Sequence, residues 1–94
     1  MIKVSALLSK GRKNAIHQGS LAAALGVSHM ALKAQIRKER MSGIPILSNA
    51  QGYWLAENQS EIDEFKATMR KQALSILALL SHLHYTPYDD NLQD

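Results

Sequence analysis

The sequence predicts a mainly α fold with one small β-hairpin, followed by a long C-terminal helix. Three observations predict it. Residues 16–41 hold two helical stretches broken at Gly26, with Leu21, Leu25, Val27, Leu32 and Ile36 spaced to lock them together. Residues 44–56 switch to a period of two around the turn Asn49-Ala50-Gln51-Gly52. Residues 58–84 return to helical spacing, with Ile62, Phe65, Met69, Gln72, Ile76, Leu79 and Leu83 at alternating three- and four-residue steps.

A chain of 94 residues has room for a single modest core, and a hydrophobic content of 46% argues against wholesale disorder. The absence of cysteine removes disulfides, thiol chemistry and the usual structural zinc ligands. Met1 to Val4 is too polar for a secretory signal, and Ser75 interrupts the longest apolar run, Ala73 to Leu80. No segment reaches the roughly 18 apolar residues of a membrane span, so the expected location is cytoplasmic and nucleoid-associated, with no membrane partner. Charge is unevenly shared. Residues 1–57 carry Lys3, Lys10, Arg12, Lys13, Lys33, Arg37, Lys38 and Arg40 against Glu39 and Glu57, a net of +6. Residues 58–94 carry Lys66, Arg70 and Lys71 against Glu61, Asp63, Glu64, Asp89, Asp90 and Asp94, a net of −3. Such a division suggests that the first part meets a polyanion and the second part something else.

In chain order, Ile2, Val4, Leu7 and Leu8 predict a first helix over residues 2–10, stopped by Gly11. Gly11 to Asn14 is expected as a loop, and Ala15-Ile16 as a short extended entry. The second helix begins near His17 or Gln18, with Ser20 as the alternative start, and ends at Gly26, whose freedom to take positive φ permits a sharp turn. Ser28 is a strong N-cap for the third helix, which Gly43 and Pro45 terminate. The inner face of that helix is Ala31, Leu32 and Ile36; its outer face offers His29, Met30, Lys33, Ala34 and Arg37, with Lys38 and Arg40 on the flanks. In the hairpin, alternation sets Tyr53 and Leu55 on one face and Trp54 on the other.

The last helix is expected to open at Ser60, with Asp63 completing a capping box. Its seam covers about three heptads, and Ala73 to Leu80 is apolar on nearly every face, the pattern of a helix buried on more than one side. One small core cannot absorb Leu74, Ile76, Leu77, Leu79, Leu80 and Leu83 together. At roughly 1.5–3 kcal/mol per buried large apolar side chain, their exposure favours association. A homodimer through Phe65, Met69, Ile76, Leu77, Leu80 and Leu83 is therefore expected; docking to a different protein, or folding back with Phe65 against Trp54, are the other outcomes. Residues 58–84 form this dimerisation or docking helix, and residues 85–94 a flexible tail.

Two helices joined by a tight turn at this spacing form a helix-turn-helix, which places its second helix in the DNA major groove. A hairpin directly after that helix makes residues 1–57 a winged helix-turn-helix, three helices plus a wing. Arg37 can donate to guanine O6 and N7, Lys33 can pair with phosphate or guanine, and Met30 and Ala34 can touch thymine methyl groups. His29 is a further donor, and backbone N–H groups near His17 and Gln18 are placed to hold a phosphate. Ser28, Lys38 and Arg40, with Asn49 and Gln51 of the hairpin tip, complete the expected DNA-binding set. An ordinary solvated basic face is the plain alternative. His82 and His84 point to different sides of a helix and have no third ligand, so no metal site is expected. No Ser-His-Asp set, carboxylate pair or phosphate-cradling glycine loop is present, so neither enzyme activity nor a cofactor nor a small-molecule ligand is expected.

From Leu7 to Leu55 the chain resembles the winged-helix DNA-binding domain of the biotin repressor and its relatives. The resemblance rests on Ala6 to Gly11 (ALLSKG), Gly19 to Ser28 (GSLAAALGVS), Ala31-Leu32 with Ile36, Gly43-Ile44-Pro45-Ile46 and Gly52-Tyr53-Trp54-Leu55. It implies three helices and a two-stranded wing, with the third helix reading the major groove. The sequence departs from that family at Glu39, where leucine is usual, so the end of the third helix is expected to pack differently, through Met41. It departs again at the hairpin tip, which lacks Lys and Arg and so implies a weak contact to phosphate. The ligase domain and its Gly- and Arg-rich loop are absent, so biotin chemistry does not carry over. The expected function is sequence-specific binding of double-stranded DNA by a dimeric transcriptional regulator of a bacterium, phage or mobile element. The alternative is a DNA-associated adaptor in phage or plasmid replication, recombination or packaging, assembled through the last helix.

Overall fold

The computed structural model describes residues 2–84, and the expected tail at 85–94 lies outside them. Two short 3-10 turns precede helices α1 (Gln18–Leu25) and α2 (His29–Met41), strands β1 (Ile46–Asn49) and β2 (Gly52–Leu55), and helix α3 (Gln59–His82). The protein is thus mainly helical, with a two-stranded antiparallel hairpin and a long C-terminal helix. Among the described residues no helix is long and apolar enough to cross a membrane.

The first expected helix does not form. Val4–Leu7 makes a single 3-10 turn, and Leu8 is already extended. Both ends of the segment are claimed by distant partners. The Val4 and Ser5 N–H groups donate to the Glu39 carboxylate at 2.7 and 2.9 Å. Downstream, Leu55 N–H donates to the Ser9 carbonyl and Gly11 N–H to the Leu55 carbonyl, both at 2.9 Å. A helix this short is marginal in isolation, so pairing with the hairpin wins. Ile16 also joins the hairpin, exchanging two backbone hydrogen bonds with Tyr53 at 2.8 and 2.9 Å, as the expected extended entry requires.

α1 and α2 start and stop where their residues dictate. His17 caps α1 with Nδ1 accepting the Gly19 N–H at 3.0 Å, and Ser28 caps α2 with Oγ accepting the Ala31 N–H at 3.1 Å. Gly26 closes α1 in the left-handed conformation, φ +65°, which turns the chain sharply into α2. Val4, Leu8, Leu21, Ala22, Leu32, Ile36 and Ile46 form the core beneath these helices.

Among the described residues, Glu39 is the one charged residue that is buried, only 3% exposed. It follows Leu32 and Ile36 on the inner face of α2 and uses that position to bind the N-terminal turn, with Gln35 Nε2 donating to it at 2.9 Å. Met41, expected to take over the packing at this end, is 77% exposed instead. Burial pushes the Glu39 carboxyl up, but the hydrogen bonds from Ser5, Gln35 and Val4 outweigh it and hold the group below the ordinary value of 4.5. A lowered folded-state value means that this stability is fully present above the unfolded value and is lost as pH falls through the folded one. Glu39→Gln is expected to lower stability at neutral pH by about 1–3 kcal/mol in urea unfolding and to flatten the acid limb. An acid limb identical to that of the unsubstituted chain would contradict this role.

The hairpin has two covered faces. Its register pairs Ile46 with Leu55 and Leu47 with Trp54. Ile46 and Leu55 meet the core, whereas Leu47 and Trp54, each 3% exposed, lie on the opposite face. The start of α3 covers that side. Asn58 caps α3, with Oδ1 accepting the Glu61 N–H at 2.9 Å; Glu61 reaches back to accept the Glu57 N–H at 2.9 Å and the Trp54 indole N–H at 3.3 Å. The cap therefore sits at Asn58, with Glu61 reaching back to the preceding residue, two positions before the capping box expected at Ser60 and Asp63. Arg12 adds an ion pair to Glu64 at 2.9 Å and lies over the Trp54 ring at 5.7 Å. Beyond Phe65, every residue from Lys66 to His84 is exposed. The extents are 55 × 32 × 25 Å and the radius of gyration is 18.0 Å, against about 12 Å for a compact chain of this length.

Candidate nucleic-acid interface

The candidate interface is the outer face of α2. Leu32, Ile36 and Glu39 fix the opposite face in the core, which leaves His29, Met30, Lys33, Ala34, Arg37 and Lys38 exposed along one side. Met30 is 82% exposed, unusual for a large apolar side chain in a helix whose inner face is already packed. Among the described residues, no carboxylate lies within ion-pair distance of Lys33, Arg37 or Lys38. Three unpaired cations on about two turns of helix make a local positive field suited to phosphate or to guanine edges.

His29 is held by a neighbour. Its Nδ1 lies 2.6 Å from the Gln18 amide nitrogen, which ties the first turn of α2 to the first turn of α1. With the amide donating, the imidazole proton sits on Nε2, leaving that atom as an outward donor. His17, Gln18, Asn49, Ala50 and Tyr53 line a notch of about 230 Å³ between the start of α1 and the hairpin tip. The fold thus brings His17, Gln18 and Asn49 together. Asn49 keeps the tip in shape, its Oδ1 accepting the Gln51 N–H at 2.8 Å, and Gln51 is exposed beyond it. His17 and Ser28 act first as helix caps, so their side-chain acceptors are already engaged.

Arg40, also in the expected set, is engaged within its own chain. Its Nε donates to the Ile46 carbonyl at 2.7 Å, its second guanidinium nitrogen lies 3.2 Å from Ser48 Oγ, and its charge rests 5.1 Å above the Phe65 ring. The guanidinium thus joins α2 to β1 and to the first turns of α3. Phe65, expected on the dimer surface, is half-buried within its own chain. Met69, Ile76, Leu77, Leu80 and Leu83 remain exposed.

Sequence reasoning missed Glu39, Glu61 and Arg12 as the groups that fix how the candidate face is held. For Glu39 a signal was present: its spacing from Leu32 and Ile36 places it on the buried stripe of α2. For Arg12 and Glu64, 52 residues apart, no local pattern exists. No protein-family model, curated protein or solved structure matches this chain.

Proposed function

We propose that this chain is a winged helix-turn-helix protein that binds specific sequences in double-stranded DNA as a dimer, acting as a transcriptional regulator in a bacterium, phage or mobile element. One observation carries the proposal: the unpaired, exposed Lys33, Arg37 and Lys38 sit beside His29, Met30 and Ala34 on the free face of a helix that follows a tight turn. Charged donors give phosphate and guanine contacts, and the small and apolar side chains between them suit thymine methyl groups. The resemblance to the biotin repressor's DNA-binding domain rests on the same stretch and supports the same orientation of α2. The hairpin tip offers only Asn49, Ala50 and Gln51, so α2 supplies most of the affinity. The dimer is formed by α3, through its exposed aliphatic side chains.

Selection of bound duplexes from a random pool tests the proposal. The expected product is an inverted repeat, since two heads on a two-fold axis read related half-sites. Tight binding with a steep salt dependence but no enriched sequence would overturn sequence-specific reading and favour the adaptor role, in which α3 recruits a larger machine and DNA contact is secondary.

A further inference from the structure

We infer that α3 also joins the proposed dimers in pairs, giving four chains, and that the resulting assembly bridges two DNA segments. The evidence is the width of the apolar surface on its distal half. Leu74, Ile76, Leu77, Leu79, Leu80 and Leu83 are six large aliphatic side chains between 57% and 65% exposed, all within about three turns. Together they expose on the order of 600 Å², at the upper limit for the largest apolar patch of a free monomer.

The pattern of that surface decides how many helices it meets. α3 is continuous from Gln59 to His82, so positions along it can be projected on one helical wheel. At about 100° per residue, Ile76, Leu79 and Leu83 form one stripe and Ala73, Leu77 and Leu80 form a second, centred about 90° away. A two-stranded coil uses a single narrow seam. Pairing through the first stripe alone would leave Leu77 at 60% and Leu80 at 57% exposure. In a square four-helix bundle each helix touches two neighbours at right angles, which is the separation of the two stripes.

A second copy fits this surface better than a charged partner. From Gln72 to its end at His82 the helix carries no Lys, Arg, Asp or Glu, so nothing repels an identical helix and nothing recruits an oppositely charged one. Helices in a bundle lie about 8–10 Å apart, whereas the chain is 25–32 Å across. Four heads at one end of the bundle compete for the same space, whereas two at each end can splay to opposite sides of the axis. That arrangement is a dimer of dimers, with one stripe closing each dimer and the other joining them. Its two pairs of α2 faces are carried at opposite ends; this bridging step rests on the DNA-binding function proposed above, while the four-chain assembly stands without it.

Sedimentation equilibrium of the full chain at micromolar concentration is expected to give four times the 10.4 kDa chain mass. Leu77→Glu, and separately Ile76→Glu with Leu79→Glu, are each expected to halve that mass while retaining the helical circular-dichroism signal, and all three substitutions together to reduce it to single chains. A dimer mass for the unsubstituted protein overturns the inference, as does a monomer mass, which would assign the helix to a different protein. For bridging, a bead-tethered duplex carrying the selected sequence is expected to retain a second, labelled duplex with the unsubstituted protein, with at least a tenfold loss for Leu77→Glu. Retention of protein without the second duplex overturns bridging. A four-chain mass with no protein retained on the tethered duplex overturns the DNA-binding proposal instead, leaving the tetramer in place.

Discussion

Gly52→Ala is expected to abolish cooperative thermal unfolding or to lower stability by at least about 3 kcal/mol. Two independent costs meet at this position. Gly52 adopts φ +145°, which side-chain-bearing residues rarely take, and an added Cβ would lie 2.9 Å from the His17 backbone nitrogen and closer still to the Ile16 carbonyl. The obstructing atoms belong to a backbone held by paired hydrogen bonds to Tyr53, so no side chain can swing aside. The same contact sets the hairpin tip against the start of α1, and the notch at His17 and Gln18 should open as the contact fails. Gly26→Ala provides the comparison: its φ is +65°, but a Cβ there meets nothing within 4 Å, so the cost is limited to about 1 kcal/mol of backbone strain. Circular dichroism melts of the two variants give the ranking. Equal melting temperatures would contradict the close approach at Ile16.

Lys33→Ala combined with Arg37→Ala is expected to weaken binding to the selected duplex by about 100-fold or more at fixed salt, at roughly 1–3 kcal/mol per direct contact. Folding should be untouched, because neither side chain has a partner among the described residues. The salt dependence of the remaining binding should also become shallower, since each lost phosphate contact lowers the slope by about one. Arg40→Ala separates reading from scaffolding: with its guanidinium bound to Ile46 and Ser48, its loss should register first as lower stability. Unchanged affinity in the double variant would remove α2 from the interface altogether.

Local patterns made much of the architecture legible. Ser28, Gly26, Gly43 and Pro45 bound α2 almost to the residue, because caps and breakers act within a turn of themselves. The hairpin was equally legible, from alternation around a four-residue turn. What could not be read was set by partners distant in sequence. The apolar residues at Ile2 to Leu8 suit a helix, yet Glu39 and Leu55 bind the segment from the other side of the fold. Arg40 looked like another member of a basic face because composition does not reveal that β1 passes beside it. On α3 the heptad seam was visible throughout, but only three-dimensional packing shows that its first turns, through Phe65, are taken by the hairpin and the remainder is not.

The continuity of α3 has a mechanical consequence. Its first turns are clamped by Asn58, Glu61, Trp54 and Arg12, and the same unbroken helix carries the exposed leucines. The hairpin-bearing portion and the exposed aliphatic stretch are thus two ends of one shaft, in fixed rotational phase. Adding a single residue between Lys66 and Gln72 would turn one end against the other by about 100°, and adding seven would nearly restore the setting. The number of residues in that stretch therefore sets the direction in which each α2 faces, independently of which side chains α2 presents.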